Sequence, residues 1–309
     1  MKKVQVLLSA YNGERYISEQ IESIMKQSYP DVSVLVRDDG SSDGTIHIVQ
    51  KLMKFYPGRI QMITGSNIGV IGSFFELLIH SDSEADFYCF CDQDDVWFDY
   101  KVKSAVSHLD TISHVGKPAM VFTSTLLTDE KLNSRGTWPQ SPSRKPSFYN
   151  ALVQNIAVGA TITFNKDSRN FFLENHQPDR SKVLMHDWWF YILVSAFGTV
   201  VYEEKPSMMY RQHGNNFVGG SNSLIQKLRN KFNSFRKHFG KHLLFHQALE
   251  FERVYGMKLS PEKKEQLDLF LQARPRLIDR IRYLSQSKLY RQSLVENILF
   301  KFLVLVNYI

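Results

Sequence analysis

Short apolar segments alternate with helical patterns through the first third of the chain, and every apolar segment stops on a polar cluster. VQVLLS (4–9) runs into AYNGE, after which Tyr16, Ile17, Ile21, Ile24 and Met25 recur at helical spacing. Residues 33–36 close on DDGSSDGT before a helical stretch over 46–55. A strand at 61–64 leads through the glycine-containing turn 67–72 into a helix over 73–80, and 87–91 ends on DQDD. Alternation at this spacing predicts an α/β fold of right-handed βαβ units around a parallel sheet. Such sheets bind ligands beyond the carboxyl ends of their strands. All four polar clusters fall there.

Further along, the pattern predicts a helix over 102–109 and strands over 119–125, 160–164 and 198–202. A Ser/Pro-rich stretch, WPQSPSRKPS, reads as a mobile loop near the active face. The character changes after about residue 221, which divides the chain into an α/β unit (1–220) and a C-terminal helical region (221–309). Leu224, Leu228, Phe232 and Phe235 are interleaved with Lys and Arg, and helices are expected over 262–273 and 277–290. The closing ENILFKFLVLVNYI is too short an apolar run to span a bilayer of about 30 Å. It suits an interfacial position, packing on the body, or a homo-oligomer contact.

Composition narrows the function classes. An apolar fraction of 43% supports a sizeable core. Cys89 and Cys91 lie in one apolar run and read as core residues, without a disulfide framework or zinc spacing. No signal peptide is recognised ahead of the first strand, so a cytoplasmic location is expected. The net charge of +7 is uneven: no acid occurs over 205–247, where Lys227, Arg229, Lys231, Arg236, Lys237 and Lys241 cluster. Such a patch attracts phosphates of nucleic acid or of anionic lipid. Neither GxGxxG after the first strand nor GxxxxGK[ST] occurs, which disfavours a standard dinucleotide or P-loop site.

Four clusters carry the chemistry. In DQDD, Asp92, Asp94 and Asp95 follow a buried strand directly, and like carboxylates so placed repel one another. A solvated turn or helix cap explains part of this; Mg²⁺ or Mn²⁺ bridging one or two of them to a diphosphate explains more. Asp92 and Asp94 are expected to face the ligand and Asp95 to be held by the protein itself. DDGSSDGT contains a turn with Asp43 or Thr45 as cap, and Asp38 and Asp39 also sit where a carboxylate accepts from a nucleobase or ribose. In HDWW, Asp187 is either a cap beside core tryptophans or a general base, with Trp188 and Trp189 as a wall for a sugar ring. RQHGNNFVGG offers Arg211 and His213, as surface residues or as contacts to phosphate and metal.

Together SAYNGERYI, RDDGSSDGT, SNIGVIGSF, CDQDDVW, NIAVGATITFN, HDWW and YRQHGNN resemble, in order and spacing, a family 2 glycosyltransferase over residues 1 to about 220, which implies the α/β GT-A (Rossmann-like) fold with a mixed, mainly parallel sheet flanked by helices. DQDDVW, HDWW and RQHGNN resemble in particular its bacterial rhamnosyltransferase branch. The resemblance implies that Ser9, Ala10, Tyr11 and Asp39 hold the nucleobase, with Asn67 nearby. Asp92 and Asp94 match the family's DXD, Asp92 at ribose or metal and Asp94 at the metal that bridges the donor diphosphate. Asp187 matches the catalytic base, with His186 where Glu is usual. His213 and Arg211 would assist at metal or diphosphate, and Asn155, Gly159 and Thr161 would contact donor sugar or acceptor. The QxxRW signature of processive synthases is missing, implying one sugar or a short run per encounter.

The branch implies an inverting, metal-dependent transfer from dTDP-β-L-rhamnose onto a lipid-linked saccharide, in cell-wall polysaccharide or O-antigen synthesis. It implies a peripheral enzyme on the inner face of the membrane, which the basic segment fits independently. Rival readings are a transferase of UDP-glucose, UDP-galactose or UDP-N-acetylhexosamine, a nucleotidyltransferase of the same fold, and a non-catalytic scaffold of a polysaccharide assembly. A nucleic-acid-binding protein is disfavoured, because acids rather than aromatic-interleaved basic motifs dominate the sheet edge.

Overall fold

Val4, Val6 and Leu8 of β1 (Val4–Ala10) face one apolar cluster while Leu7 faces another, so both sides of this strand are buried. That is the environment of a central parallel strand. The computed structural model, which describes residues 2–212 and 242–308, places β1 between β2 (Val32–Asp38) and β4 (Phe87–Cys91), parallel to both. The full sheet has seven strands in the order β10-β6-β9-β4-β1-β2-β3, with β3 (Ile60–Thr64), β6 (Ala119–Thr123), β9 (Thr163–Asn165) and β10 (Thr199–Glu203). Only β9 runs antiparallel to its neighbours. Strand order reverses between β1 and β4, and that reversal opens the crevice in which open α/β sheets bind ligands.

Helices cover both faces. On one, α1 (Ile17–Met25), α2 (Thr45–Phe55) and α4 (Lys101–Ile112) bury Ile21, Val49 and Val106. On the other, α3 (Gly69–His80), α6 (Lys166–Leu173) and α7 (His186–Phe197) bury Phe74, Phe172 and Phe190. The one-turn helix α5 (Phe148–Ala151) precedes the segment that will hold the site's buried carboxylate.

The expected strand over 119–125 is two strands in two sheets. Ser124 donates to the Glu204 carbonyl at 2.5 Å, and the chain turns there out of the large sheet. It continues as β7 (Thr125–Thr128) in a four-stranded sheet, order β5-β11-β7-β8, with β5 (Val96–Trp97), β8 (Ser134–Trp138) and β11 (Met208–Arg211). The expected strand over 160–164 is also revised. Gly159–Thr161 is a 3₁₀ turn closed by Thr161 Oγ1 donating to the Val158 carbonyl at 2.7 Å, and pairing starts only at Thr163.

In the C-terminal part, α8 (Leu243–Tyr255), α9 (Pro261–Leu271), α10 (Leu277–Gln286) and α11 (Leu294–Leu305) follow one another. The first of these was not legible, because its inner face carries polar groups: Gln247 accepts from Leu184 N at 2.8 Å and Glu250 from Asp179 N at 2.7 Å. Phe251 and Tyr255 on the same face pack on Trp189, with ring centroids 5.5 and 6.1 Å apart. Among the described residues no helix is long and apolar enough to cross a membrane. The division expected near residue 220, the basic pattern over 224–235 and His213 lie outside the described residues.

Candidate active site

Two loops at the carboxyl edge lock into each other. Asn12 N donates to Ser41 Oγ and Asn12 Oδ1 accepts from Ser42 N, both at 2.9 Å. Gly13 N donates to Thr45 Oγ1 at 2.8 Å, and Glu14 Oε2 accepts from Gly44 N at 2.7 Å. Asp43 accepts from Thr45 N at 3.0 Å as a local turn bond, while the N-cap position of α2 falls to Gly44 and not to the expected Asp43 or Thr45. Asp38 Oδ1 accepts from Gly40 N and Ser41 N. Gly40 has φ of +84°, and a Cβ there would stand 3.1 Å from Asn67 N, so this turn requires glycine.

Asp39 is buried and accepts from Arg37 Nη1 at 2.5 Å and from Ile68 N and Gly69 N at 2.9 Å. These three donors leave about one of the carboxylate's four acceptor positions. Ser9 Oγ donates to Ser73 Oγ at 2.7 Å, and the buried Ala10 accepts from Asp39 N at 2.8 Å through its carbonyl. Tyr11 and Asn67 are exposed at the mouth of the crevice. Gln93, which sequence reasoning passed over, fixes Tyr11: its amide accepts from Tyr11 N at 2.8 Å and donates to Tyr11 O at 3.0 Å. The only signal for it was an uncharged residue inside an acidic run.

The acidic turn is held from both ends, by β4 and by the two-residue β5. Asp92 and Asp94 are half-buried and Asp95 is buried. Burial, then the carboxylates of Asp94 and Asp187, push Asp92 up to about 7. Asp95 is raised well above the carboxylate range by burial and by Asp94 and Asp92. Its Oδ1 accepts from Arg211 N at 3.0 Å. Its other oxygen is buried without a hydrogen-bond partner. Arg211, expected at the donor diphosphate, is 3% exposed and donates to the Asp94 carbonyl (2.9 Å), the Glu130 carbonyl (2.6 Å) and the Glu19 carboxylate. With its guanidinium 4.6 Å over the Tyr16 ring as well, it clamps the acidic turn from behind instead of meeting phosphate.

Asp187 opens α7. Asn155 Nδ2 donates to its Oδ1 at 3.1 Å and Gly159 N to its Oδ2 at 3.0 Å, so the NIAVG segment cradles this carboxylate. Hydrogen bonds and the helix N-terminus favour the charged form. Burial outweighs them and lifts the group to about 6. His186 beside it stacks on Phe74 with ring centroids 3.7 Å apart, and burial pushes it down to about 3, leaving the imidazole neutral. A Cβ on Gly159 would stand 3.1 Å from His186 Nε2 and 3.2 Å from Asp187 Oδ2. Gly159→Ala is therefore expected to displace the carboxylate and lower kcat by about 10²-fold, with circular dichroism unchanged. Wild-type kcat in that variant would rule out the cradle as a positioning device.

Trp188 is half-buried and donates from Nε1 to the Ala151 carbonyl at 2.7 Å. Trp189 points the other way, fully buried against Phe251. No face of it is left for a sugar, and its expected role as a wall gives way to a core role. Thr161 is 1% exposed, with its hydroxyl spent on Val158 O and Thr123 N.

The crevice thus gathers the interlocked loops, the acidic turn and a raised carboxylate on one sheet edge. The sequence model of Glycosyl transferase family 2 matches residues 5–191, which take in all three. The chain belongs to glycosyl transferase family 2. This glycosyltransferase is 30% identical over 229 residues to a dTDP-rhamnosyl transferase, RfbG, of Shigella flexneri, across 72% of this chain and 77% of that protein. It is 28% identical over 173 residues to WfgD of Escherichia coli, a UDP-Glc:α-D-GlcNAc-diphosphoundecaprenol β-1,3-glucosyltransferase, across 55% and 62% of the two chains. Solved structures share its GT-A fold. S. aureus TarS in complex with UDP-GlcNAc superposes with a TM-score of 0.60 at 18% identity, over 93% of this chain and 74% of that one. The mannosyltransferase PcManGT of Pyrobaculum calidifontis, bound to GDP-Man and Mn²⁺, does so with 0.54 at 16%, over 87% and 69%.

Proposed function

We propose that this glycosyltransferase moves L-rhamnose from dTDP-β-L-rhamnose, with inversion, onto a lipid-linked saccharide at the cytoplasmic face of the membrane. The observation that carries the chemistry is Asp187, whose carboxylate is cradled by Asn155 and Gly159, lifted to about 6, and within electrostatic reach of Asp92. A base of that pKa is largely ionised at neutral pH and still takes up a proton readily. Asp187 would accept the proton of an acceptor hydroxyl as that oxygen attacks the anomeric carbon and the nucleoside diphosphate leaves from the opposite face. Ser9, Ala10, Tyr11, Asp39 and Asn67 would bind the nucleobase side. Trp188, Asn155 and Gly159 would border the sugar side, with Thr161, buried and its hydroxyl spent, supporting that segment from behind.

The acidic turn fits a divalent cation, Mg²⁺ or Mn²⁺. Without one, Asp92 is pushed to about 7 by burial and then by its neighbours' charge, and hard oxygen ligands suit such an ion. Asp92 and Asp94 would hold it. Among the described residues no third His, Cys, Asp or Glu joins them in a metal-holding group, which leaves room for diphosphate oxygens and water, and for His213 outside those residues. When bound, such an ion neutralises charge developing on the leaving diphosphate.

Rhamnose as the donor sugar rests on the likeness to RfbG; the likeness to WfgD favours UDP-glucose as the second reading. Purified protein given dTDP-rhamnose, UDP-glucose, UDP-galactose and UDP-GlcNAc with a synthetic lipid-linked acceptor separates them. The expected result is a kcat/KM for dTDP-rhamnose at least about 10²-fold above the others, and an α-linkage in the product by NMR. Preference for a UDP-sugar would replace the donor assignment, and a β-linked product would remove inversion.

A further inference from the structure

The solvent side of α11 is apolar. Phe300 and Val304 dock this helix on the body, while Leu294, Val295, Ile298 and Phe302 on the opposite side are 75%, 73%, 60% and 55% exposed. A helix with apolar residues on two opposite sides normally has both covered. Its neighbour α10, tied to it by Arg280 Nη1 donating to the Leu305 carbonyl at 2.6 Å, does the same: Tyr283 is buried while Ile278 and Ile281 are 54% and 49% exposed. Contiguous exposed apolar surface of this kind marks an interaction site.

Charge says what covers it. Residues 274–308 hold seven Lys and Arg against two acids, Asp279 and Glu296. Both acids are occupied within the protein, Asp279 by Arg276 at 3.0 Å and Glu296 by Gln154 Nε2 at 2.9 Å. Arg282 and Lys301 are exposed on these same helices. A second copy of the chain would bring this cationic excess against itself, whereas anionic headgroups complement it. Twelve residues of α11 span only about 18 Å as a helix, so it lies along a bilayer and does not cross one.

Position gives the surface its use. Gln154 bonds Glu296 in α11 and also accepts from Gln292 N at 2.8 Å, and its chain neighbour Asn155 holds the Asp187 carboxylate. The start of α11 is therefore bonded to the residue next to the one that holds the base.

We infer that the outer face of α10 and α11 docks on an anionic phospholipid bilayer and lays the base-side rim of the crevice against the headgroups. This deepens the membrane-face reading proposed above and rests on it only for the use made of the acceptor. The test is flotation of the full-length protein with phosphatidylcholine vesicles, with and without phosphatidylglycerol. Wild type is expected to float with the anionic vesicles, less so in high salt. Ile298→Glu/Phe302→Glu, on the solvent side of α11, is expected to lower partitioning at least about tenfold. Ile281→Glu on the adjacent helix provides a second, independent disruption. Transfer to a water-soluble acceptor should be unchanged in both variants, while transfer to a vesicle-embedded acceptor falls. Three results would overturn the inference: wild type remaining with the soluble fraction, the variants floating like wild type, or light scattering showing a dimer that the variants dissociate while vesicles are ignored. Normal flotation without transfer to any acceptor would strike at the sugar-transfer reading and leave the docking surface standing.

Discussion

Asp187→Asn is expected to lower kcat by about 10³-fold while leaving the affinity for donor nucleotide within about twofold. The side chain keeps its size, and an amide oxygen at the Oδ1 position still accepts from Asn155 and Trp188 N, while the bond from Gly159 N to Oδ2 is given up along with the capacity to take a proton. Protein stability separates this from a folding defect. The folded state raises the pKa of Asp187 above its ordinary value, to about 6, so the native protein binds that proton more tightly than the unfolded chain. Ionisation of the group therefore costs stability as pH rises through about 6, and a neutral amide is expected not to lower Tm at pH 7.5. The same shift shapes the wild-type rate. Below about pH 6 the protonated base cannot accept, and kcat/KM should fall about tenfold per pH unit. Donor affinity lost along with rate, or an unchanged rate in Asp187→Asn, would remove the base assignment.

Chelation is the second large effect. EDTA is expected to abolish transfer to within background, and Mg²⁺ or Mn²⁺ to restore it; Asp94→Ala should not be rescued at ordinary ion concentrations. The physical ground is the cluster itself. Asp92, Asp94 and Asp95 follow one another within four residues, Asp92 is pushed to about 7 and Asp95 well above the carboxylate range. A cation is the simplest counter-charge, since Arg211, the nearest guanidinium by sequence expectation, is committed to the Asp94 and Glu130 carbonyls and to Glu19. Full activity in chelator would show that the acids serve some other purpose. Isothermal titration of dTDP with and without Mg²⁺ gives a separate readout that does not depend on turnover.

What could be read in advance was whatever repeats along the chain. The β1–β4 strands and the helices between them follow from local periodicity, and the polar clusters mark where each apolar run stops. Periodicity failed where the chain changes partners. Ser124 sits between Thr123 and Thr125 in a run of strand-forming residues, and nothing local announces that β6 and β7 belong to different sheets. The site divides in the same way. Asp187 was legible as an acid beside aromatics, but Arg211 looked like a phosphate ligand because sequence shows a charge and hides its partners. Trp188 and Trp189 were equivalent on paper, yet consecutive helical residues point about 100° apart, and only Trp188 remains half-open. Gln93 was overlooked because its work is on the backbone of Tyr11, and neutral amides leave no charge pattern to notice.

The bond from Gln154 to Glu296 and Gln292 bears on how a shortened protein would behave. Clipping the chain near residue 290 would remove an aggregation-prone apolar end and would look like a harmless aid to crystallisation. It would also strip two of the three partners from the amide next to Asn155, leaving only Asn150 and loosening the residue that orients Asp187. A well-behaved truncate would then report a sluggish base, and its slowness would be a property of the cut rather than of the enzyme.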